Sequence, residues 1–173
     1  MPSIAVTPVE GTPRVANMLP QAGKYLIFHL GREQFGIPVL AVREIVGAQS
    51  ITPVPQTPVH VKGVINLRGK VIPVIDLRIK CGLHAGENTD RSCIVVVRIR
   101  GAESAPVGIL VDGVAEVLNL ADNDMEATCD FGSGVKVPEI LGLAKSKDRV
   151  TILLDMDQIL NHNQLRNLQS ALQ

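Results

Sequence analysis

The sequence of 173 residues contains no tryptophan, one tyrosine and three phenylalanines. Single-stranded nucleic acids are commonly held on aromatic faces, so this scarcity argues against a base-stacking site. Neither sign of charge dominates: Lys and Arg total 17, and Asp and Glu total 17. No basic field exists to neutralise a phosphate backbone, and nucleic acid is not expected as a partner. No apolar run reaches the ~20 residues that cross a bilayer as a helix, so direct membrane insertion is not expected either. The opening stretch MPSIAVTPVEGTPRVANMLPQ lacks a basic start followed by an apolar block and does not read as a secretory signal. Cys81, Cys93 and Cys129 are odd in number and widely spaced. That usage fits reduced thiols in a cytosolic protein better than a disulfide framework.

Catalytic signatures are also missing. There is no GxSxG nucleophile elbow, and neither GxxxxGKS/T nor GxGxxG is present to cradle phosphates. His29, His60, His84 and His162 are scattered and fall at no HxxxH spacing. Cys81 and His84 stand three apart, which reads as an incidental pair rather than a preset metal site. Cys93 and Cys129 have no flanking positive charge to lower a thiol pKa. Asp122, Asp124, Glu126 and Asp130 crowd one loop, but their spacing departs from that of a calcium-binding loop. A solvated acidic loop is the preferred reading, with a small metal-dependent enzyme as the alternative. No catalytic residue, metal ligand or cofactor is expected.

What the chain does contain is aliphatic. Hydrophobic residues make up 46% and charged residues 20%, a globular balance. The abundance of Val, Ile and Leu favours strands. A chain of this length buries roughly 70% of its unfolded surface without needing a disulfide or metal.

Residues 1–22 hold four prolines and read as a flexible tail. KYLIFHLGREQFGIPVL reads as a hairpin turning at Gly31-Arg32-Glu33. In LAVREIVG, Val42, Ile45 and Val46 fall at i, i+3, i+4, the pattern of a short helical turn ending near Gly47, although their β-branched side chains also permit strand. ITPVPQTPVHVKG, with three prolines, reads as edge or loop, with Pro58 opening a helical turn that Gly63 closes. GVINLRGKVIPVIDL reads as a hairpin whose second strand runs on through VIPVIDLRIKCG, partly demoted to edge or bulge by Pro73. SCIVVVRIRG and APVGILVDGVAEVLNL supply strand, turn, strand and a short apolar turn; RVTILLDM is the last clear strand. The C-terminal DQILNHNQLRNLQSALQ reads as a helix, with Leu165, Leu168 and Leu172 on one face and Asp157 at its start. The folded unit is therefore expected over 23–160, with a helical extension over 161–173.

The same unit occurs twice. FGIPVLAVREIVG aligns with VGILVDGVAEVLN 72 positions on, matching Gly36 to Gly108, Val42 to Val114 and Glu44 to Glu116. GVINLRGKVIPVIDL aligns with GLAKSKDRVTILLDM 79 positions on, matching Val71 to Val150 and Asp76 to Asp155. The seven extra residues fall in a loop, where insertions cost little. Two small barrels packed on a shared apolar seam suit such a duplication.

FGIPVLAVREIVG, PVHVKGVINLRGKVIPVIDLRIK and VGILVDGVAEVLNL together resemble the CheW family, the adaptor proteins of bacterial chemotaxis arrays, from about Tyr25 to Leu160. The resemblance implies a mainly β fold of two intertwined, five-stranded SH3-like barrels with short helices. It implies a non-enzymatic cytoplasmic scaffold joining the tips of chemoreceptors to the histidine kinase CheA, whose regulatory domain shares the fold. An adaptor of a pilus-motility or other chemosensory array is the alternative within the family. The family's receptor-coupling positions correspond here to Arg68, Val42 and Glu44. A hairpin holding Arg68 outward suits bidentate pairing with a carboxylate, and Glu44 can pair with a partner's basic group or with Arg68 itself. Asn66 can brace the turn, and Val42, Ile45, Val64 and Ile65 are apolar contact candidates, with core the preferred reading for any one of them. Gly63 and Gly69 read as backbone devices, one ending the preceding helical turn and one taking positive φ. The second-copy turn departs from the family in carrying Lys145, Ser146 and Lys147.

Overall fold

The computed structural model describes residues 21–83, 86–98, 105–126, 139–146 and 148–160. Nearly all of the expected tail, the leucine face of the C-terminal helix, His84, Cys129, Asp130 and Lys147 lie outside the described residues. The strands are β1 (Gly23–Leu30), β2 (Glu33–Pro38), β3 (Val42–Gly47), β4 (Val61–Leu67), β5 (Lys70–Asp76), β6 (Cys93–Arg98), β7 (Pro106–Val111), β8 (Gly113–Leu120), β9 (Met125–Glu126), β10 (Ile140–Ser146) and β11 (Arg149–Leu154). Two single-turn helices, α1 (Leu77–Lys80) and α2 (Met156–Ile159), follow β5 and β11.

The strands form two sheets, ordered β8-β1-β2-β11-β10-β9 and β3-β6-β7-β5-β4. Each sheet closes on itself. The chain leaving β3 at one edge returns to the other edge, where Thr52 exchanges hydrogen bonds of 2.8 and 2.9 Å with Val64 of β4. The chain leaving β8 returns likewise as β9, paired with β10. The result is two small barrels, as the duplication and the resemblance led one to expect.

The copies are not side by side but exchanged. β2 of the first copy pairs in parallel with β11 of the second, Gly36 opposite Leu153. β7 of the second copy pairs in parallel with β5 of the first, Gly108 opposite Val74. Each barrel thus borrows a hairpin from the other copy. The irregularities repeat as well. Arg43 bulges out of the β3–β6 pairing, and Ala115, 72 positions on, bulges out of β8–β1. Lys62 and Leu141, 79 positions apart, bulge out of β4–β5 and β10–β11. Bulges kink a strand and raise its local twist, so the same bends at the same places are what let both copies curl into the same barrel.

Three apolar clusters follow. Ile27, Leu120 and Leu153 help fill the first barrel, and Ile65, Ile72, Ile94 and Leu110 the second. The third is the seam, where Phe28, Leu30 and Ile37 of one barrel meet Val95, Ile109 and Val111 of the other.

Several local readings are corrected. Val42–Gly47 is a strand with alternating burial, not a helical turn; pairing with β6 decides the matter for a run of β-branched residues too short for periodicity to separate. No helical turn runs from Pro58 to Gly63. Val61 N donates to Pro58 O at 3.0 Å and β4 begins at once. Pro73 lies in the part of β5 that pairs with β4 alone, opposite Val64, since the parallel pairing with β7 begins only at Val74; this stretch is locally an edge, as expected. The apolar turn expected at the end of the second copy is the continuous strand β8. Asp157 does lie in the first turn of α2, while the cap itself is Asp155, which accepts from the amides of Asp157 and Gln158. Its counterpart Asp76 caps α1 through the Arg78 amide, so the aligned aspartates share one role.

Candidate partner-binding site

β4 and β5 are joined by only Arg68 and Gly69, since Leu67 pairs with Lys70. Both connecting residues have positive φ, 54° and 86°, the signature of a type I′ turn whose twist matches the strands it joins. Gly takes this conformation freely; Arg does so rarely. Asn66 supports the turn by accepting the Gly69 amide on its side-chain oxygen at 2.9 Å. The tip is therefore rigid, and Arg68 projects from it with 77% of its side chain exposed.

Opposite the tip, Glu44 on β3 accepts from both terminal nitrogens of Arg68, at 2.8 and 2.9 Å. The intramolecular pairing weighed at the outset is thus present, and it sets the guanidinium plane. Part of the fork is taken and the rest faces solvent. The pair spans a depression of about 140 Å³ whose walls include Arg43, Leu67, Ile72, Val96 and Pro106. Val42 packs on the seam, and Ile45 is 44% exposed on the outer side of β3. Ile65 is core, and Val64 is half-buried with its backbone bound to Thr52.

Gly63 does not end a helical turn. It lies inside β4 at φ 143°, where a Cβ would overlap the Thr52 carbonyl and stand 2.9 Å from Pro53 Cα. It is the contact that lets the returning chain close the second barrel.

Sequence reasoning missed a buried ionic cluster. Arg78, with 1% of its side chain exposed, donates through Nε and Nη2 to the two oxygens of the buried Asp76, at 3.0 and 2.9 Å. Its Nη1 reaches Asp112 Oδ1 at 2.7 Å and the Gly86 carbonyl at 3.1 Å. Asp112 Oδ2 accepts the Gly31 amide, and Lys62 Nζ stands 3.6 Å from Asp76. Burial works to raise the Asp76 pKa, but the hydrogen bonds and charge of Arg78, with Lys62 behind, hold it below the ordinary carboxylate value. Arg78 is raised in turn, first through its hydrogen bond to Asp76. The available signal was the pair Asp76-x-Arg78 at the end of an apolar strand, where an unpaired charge would be costly to bury.

The acidic loop has local duties. Asp124 accepts the Ala121 amide at 2.9 Å, and Glu126 pairs with Lys145 at 2.6 Å. Among the described residues, no three His, Cys, Asp or Glu side chains are grouped to hold a metal, and no helix is long and apolar enough to cross a membrane.

Residues 24–164 match the family model for the CheW-like domain. The chain belongs to the CheW-like family. The Rhizobium meliloti chemotaxis protein CheW is 37% identical over 83% of this chain and 92% of its own length. The Klebsiella aerogenes chemotaxis protein CheW is 37% identical over 82% of this chain and 84% of its own. The crystal structure of the scaffolding protein TtCheW from Thermoanaerobacter tengcongensis superposes with a TM-score of 0.72 at 32% identity, covering 83% of this chain and 96% of that one. Membership in the CheW-like family makes the chain a chemotaxis adaptor, and the two exchanged barrels are its scaffold.

Proposed function

We propose that this CheW-like chain is a non-enzymatic cytoplasmic adaptor that couples the signalling tips of chemoreceptors to the regulatory domain of the histidine kinase CheA. The observation that carries the reading is the display of Arg68 on a rigid type I′ tip, locked in orientation by Glu44 while most of its side chain remains in water. An exposed ion pair contributes little to stability, so the strained, braced turn is better explained by what it presents. The outward N–H groups of the fork suit a carboxylate on the receptor. Glu44 suits a basic neighbour, and Val42 and Ile45 on β3 supply apolar contact beside them. Asn66 acts mainly by holding the turn. The receptor face is thus Val42, Glu44, Ile45, Asn66 and Arg68, with Gly63 and Gly69 as its backbone supports.

The test is ternary assembly with the cognate receptor signalling domain and CheA, comparing wild type with Arg68→Ala. Circular dichroism and thermal melting establish that the variant folds. The expected result is loss of receptor coupling with kinase binding retained. Normal binding of both partners by the variant would remove Arg68 from the receptor face, and a wild type that binds neither would overturn the adaptor reading.

A further inference from the structure

Among the described residues the chain passes between the barrels twice. The first crossing, from β2 to β3, runs through the 3₁₀ turn Val39–Ala41. The second, from β7 to β8, runs through Asp112 alone. Asp112 is held from several sides. Its amide donates to His29 O at 3.0 Å and its Oδ2 accepts the Gly31 amide, both in the first barrel. Its Oδ1 takes Arg78 Nη1 at 2.7 Å, and Arg78 is fixed at the end of β5 in the second barrel by two hydrogen bonds to Asp76. The same Nη1 also holds the loop after α1 through Gly86 O. One guanidinium therefore ties β5, the β7–β8 corner and the β1–β2 turn together.

The corresponding residues of the other crossing differ. At Asp112's place 72 positions earlier stands Leu40, an apolar side chain 99% exposed. At Arg78's place 79 positions later stands Asp157, beside Asp155. The Asp76–Arg78–Asp112 set is therefore not repeated by the same residue types. The duplication, otherwise kept down to its bulges, is broken here.

We infer that the Asp76–Arg78–Asp112 tie positions the two barrels relative to one another, so that the second barrel, which carries the proposed receptor face, is held at a set angle to the first. The inference rests on the adaptor reading. The apolar seam drives the barrels together, but burial of apolar surface is non-directional. A guanidinium fork sharing carboxylates across the junction fixes orientation, because its donors lie in one plane. Neither Arg78 nor Asp112 belongs to the proposed receptor face, and Arg78 has only 1% of its side chain exposed; they act through the corner they hold.

Asp112→Ala tests this, since it cuts the tie while leaving Arg78 paired with Asp76. Asp112→Asn, which keeps the shape and one acceptor oxygen, is the milder second variant should alanine compromise folding. Two readouts are taken. Hydrogen exchange of the β8 amides is expected to quicken in Asp112→Ala and less so in Asp112→Asn; the Gly31 amide, which loses its acceptor in any case, is not counted. Affinity for receptor alone and for CheA alone is expected to hold, while kinase control in the ternary assembly falls by about fivefold or more. Unchanged exchange and unchanged control would overturn the positioning role. So would a parallel fall in both binary affinities and melting temperature, which marks a merely structural residue. A wild type that binds neither partner would instead overturn the adaptor reading on which the inference stands.

Discussion

Arg68 and Glu44 meet as a parallel fork, Nη1 to Oε2 at 2.8 Å and Nη2 to Oε1 at 2.9 Å, across the gap between a hairpin tip and a strand of the same barrel. Exposed pairs of this kind contribute about 0–1 kcal/mol. Arg68→Ala and Glu44→Ala should therefore each leave urea unfolding within about 1 kcal/mol of wild type, with a double-mutant coupling no larger. A coupling well above that would make the pair a structural fastener and remove the reason for reading it as displayed.

Gly63 and Gly69 both have positive φ, but their surroundings differ. A Cβ at Gly69 meets nothing within 4 Å, so Gly69→Ala should cost only the backbone term, about 1–2 kcal/mol. At Gly63 the same strain is joined by overlap with the Thr52 carbonyl and near-contact with Pro53. Gly63→Ala should cost at least about 3 kcal/mol or abolish soluble expression, because the segment that closes the second barrel must move. Equal melting temperatures for the two variants would contradict the close approach.

The Cys81 thiol is pushed up to about 11, chiefly by burial and then by Glu139, with Lys80 opposing. Cys93 is raised as well, again by burial. The thiolate is the reactive form, so neither residue should react appreciably with iodoacetamide at pH 8 in the folded protein. Both should label on unfolding in urea, as mass spectrometry of digests would show. Rapid native labelling of Cys81 would mean that the region around α1 opens readily.

Much of this architecture was legible because duplication leaves marks at residues that do not belong to any generic strand. Gly36 and Gly108 recur opposite Leu153 and Val74, and Asp76 and Asp155 recur as helix caps. The turn at Arg68 was legible for a similar reason: a glycine and an asparagine at fixed offsets announce a hairpin. What escaped depends on partners far along the chain. Val42–Gly47 is strand because β6, some fifty residues on, pairs with it. Gly63 is required by Thr52 at the other end of a segment that local reasoning reads only as edge or loop. The exchange of hairpins and the Arg78 cluster are likewise properties of the closed fold. No short window of sequence shows which carboxylate a buried arginine will meet.

That cluster makes part of the fold's stability depend on pH. Asp76 is buried against Arg78 at 2.9 Å, and its carboxyl titrates lower in the folded protein than in the unfolded chain. In the window between the two values the unfolded chain binds more protons, so stability rises with pH there. The contribution is complete above the ordinary aspartate value, about 3.9, and is lost as pH falls through the lower folded value. Asp76→Asn leaves the buried guanidinium to Asp112 alone and should cost about 3 kcal/mol at pH 7. The gap between variant and wild type should then close as urea unfolding is repeated at successively lower pH, beginning below about pH 4. A gap that stays constant from neutral pH down to acid unfolding would show that Asp76 acts through packing rather than charge.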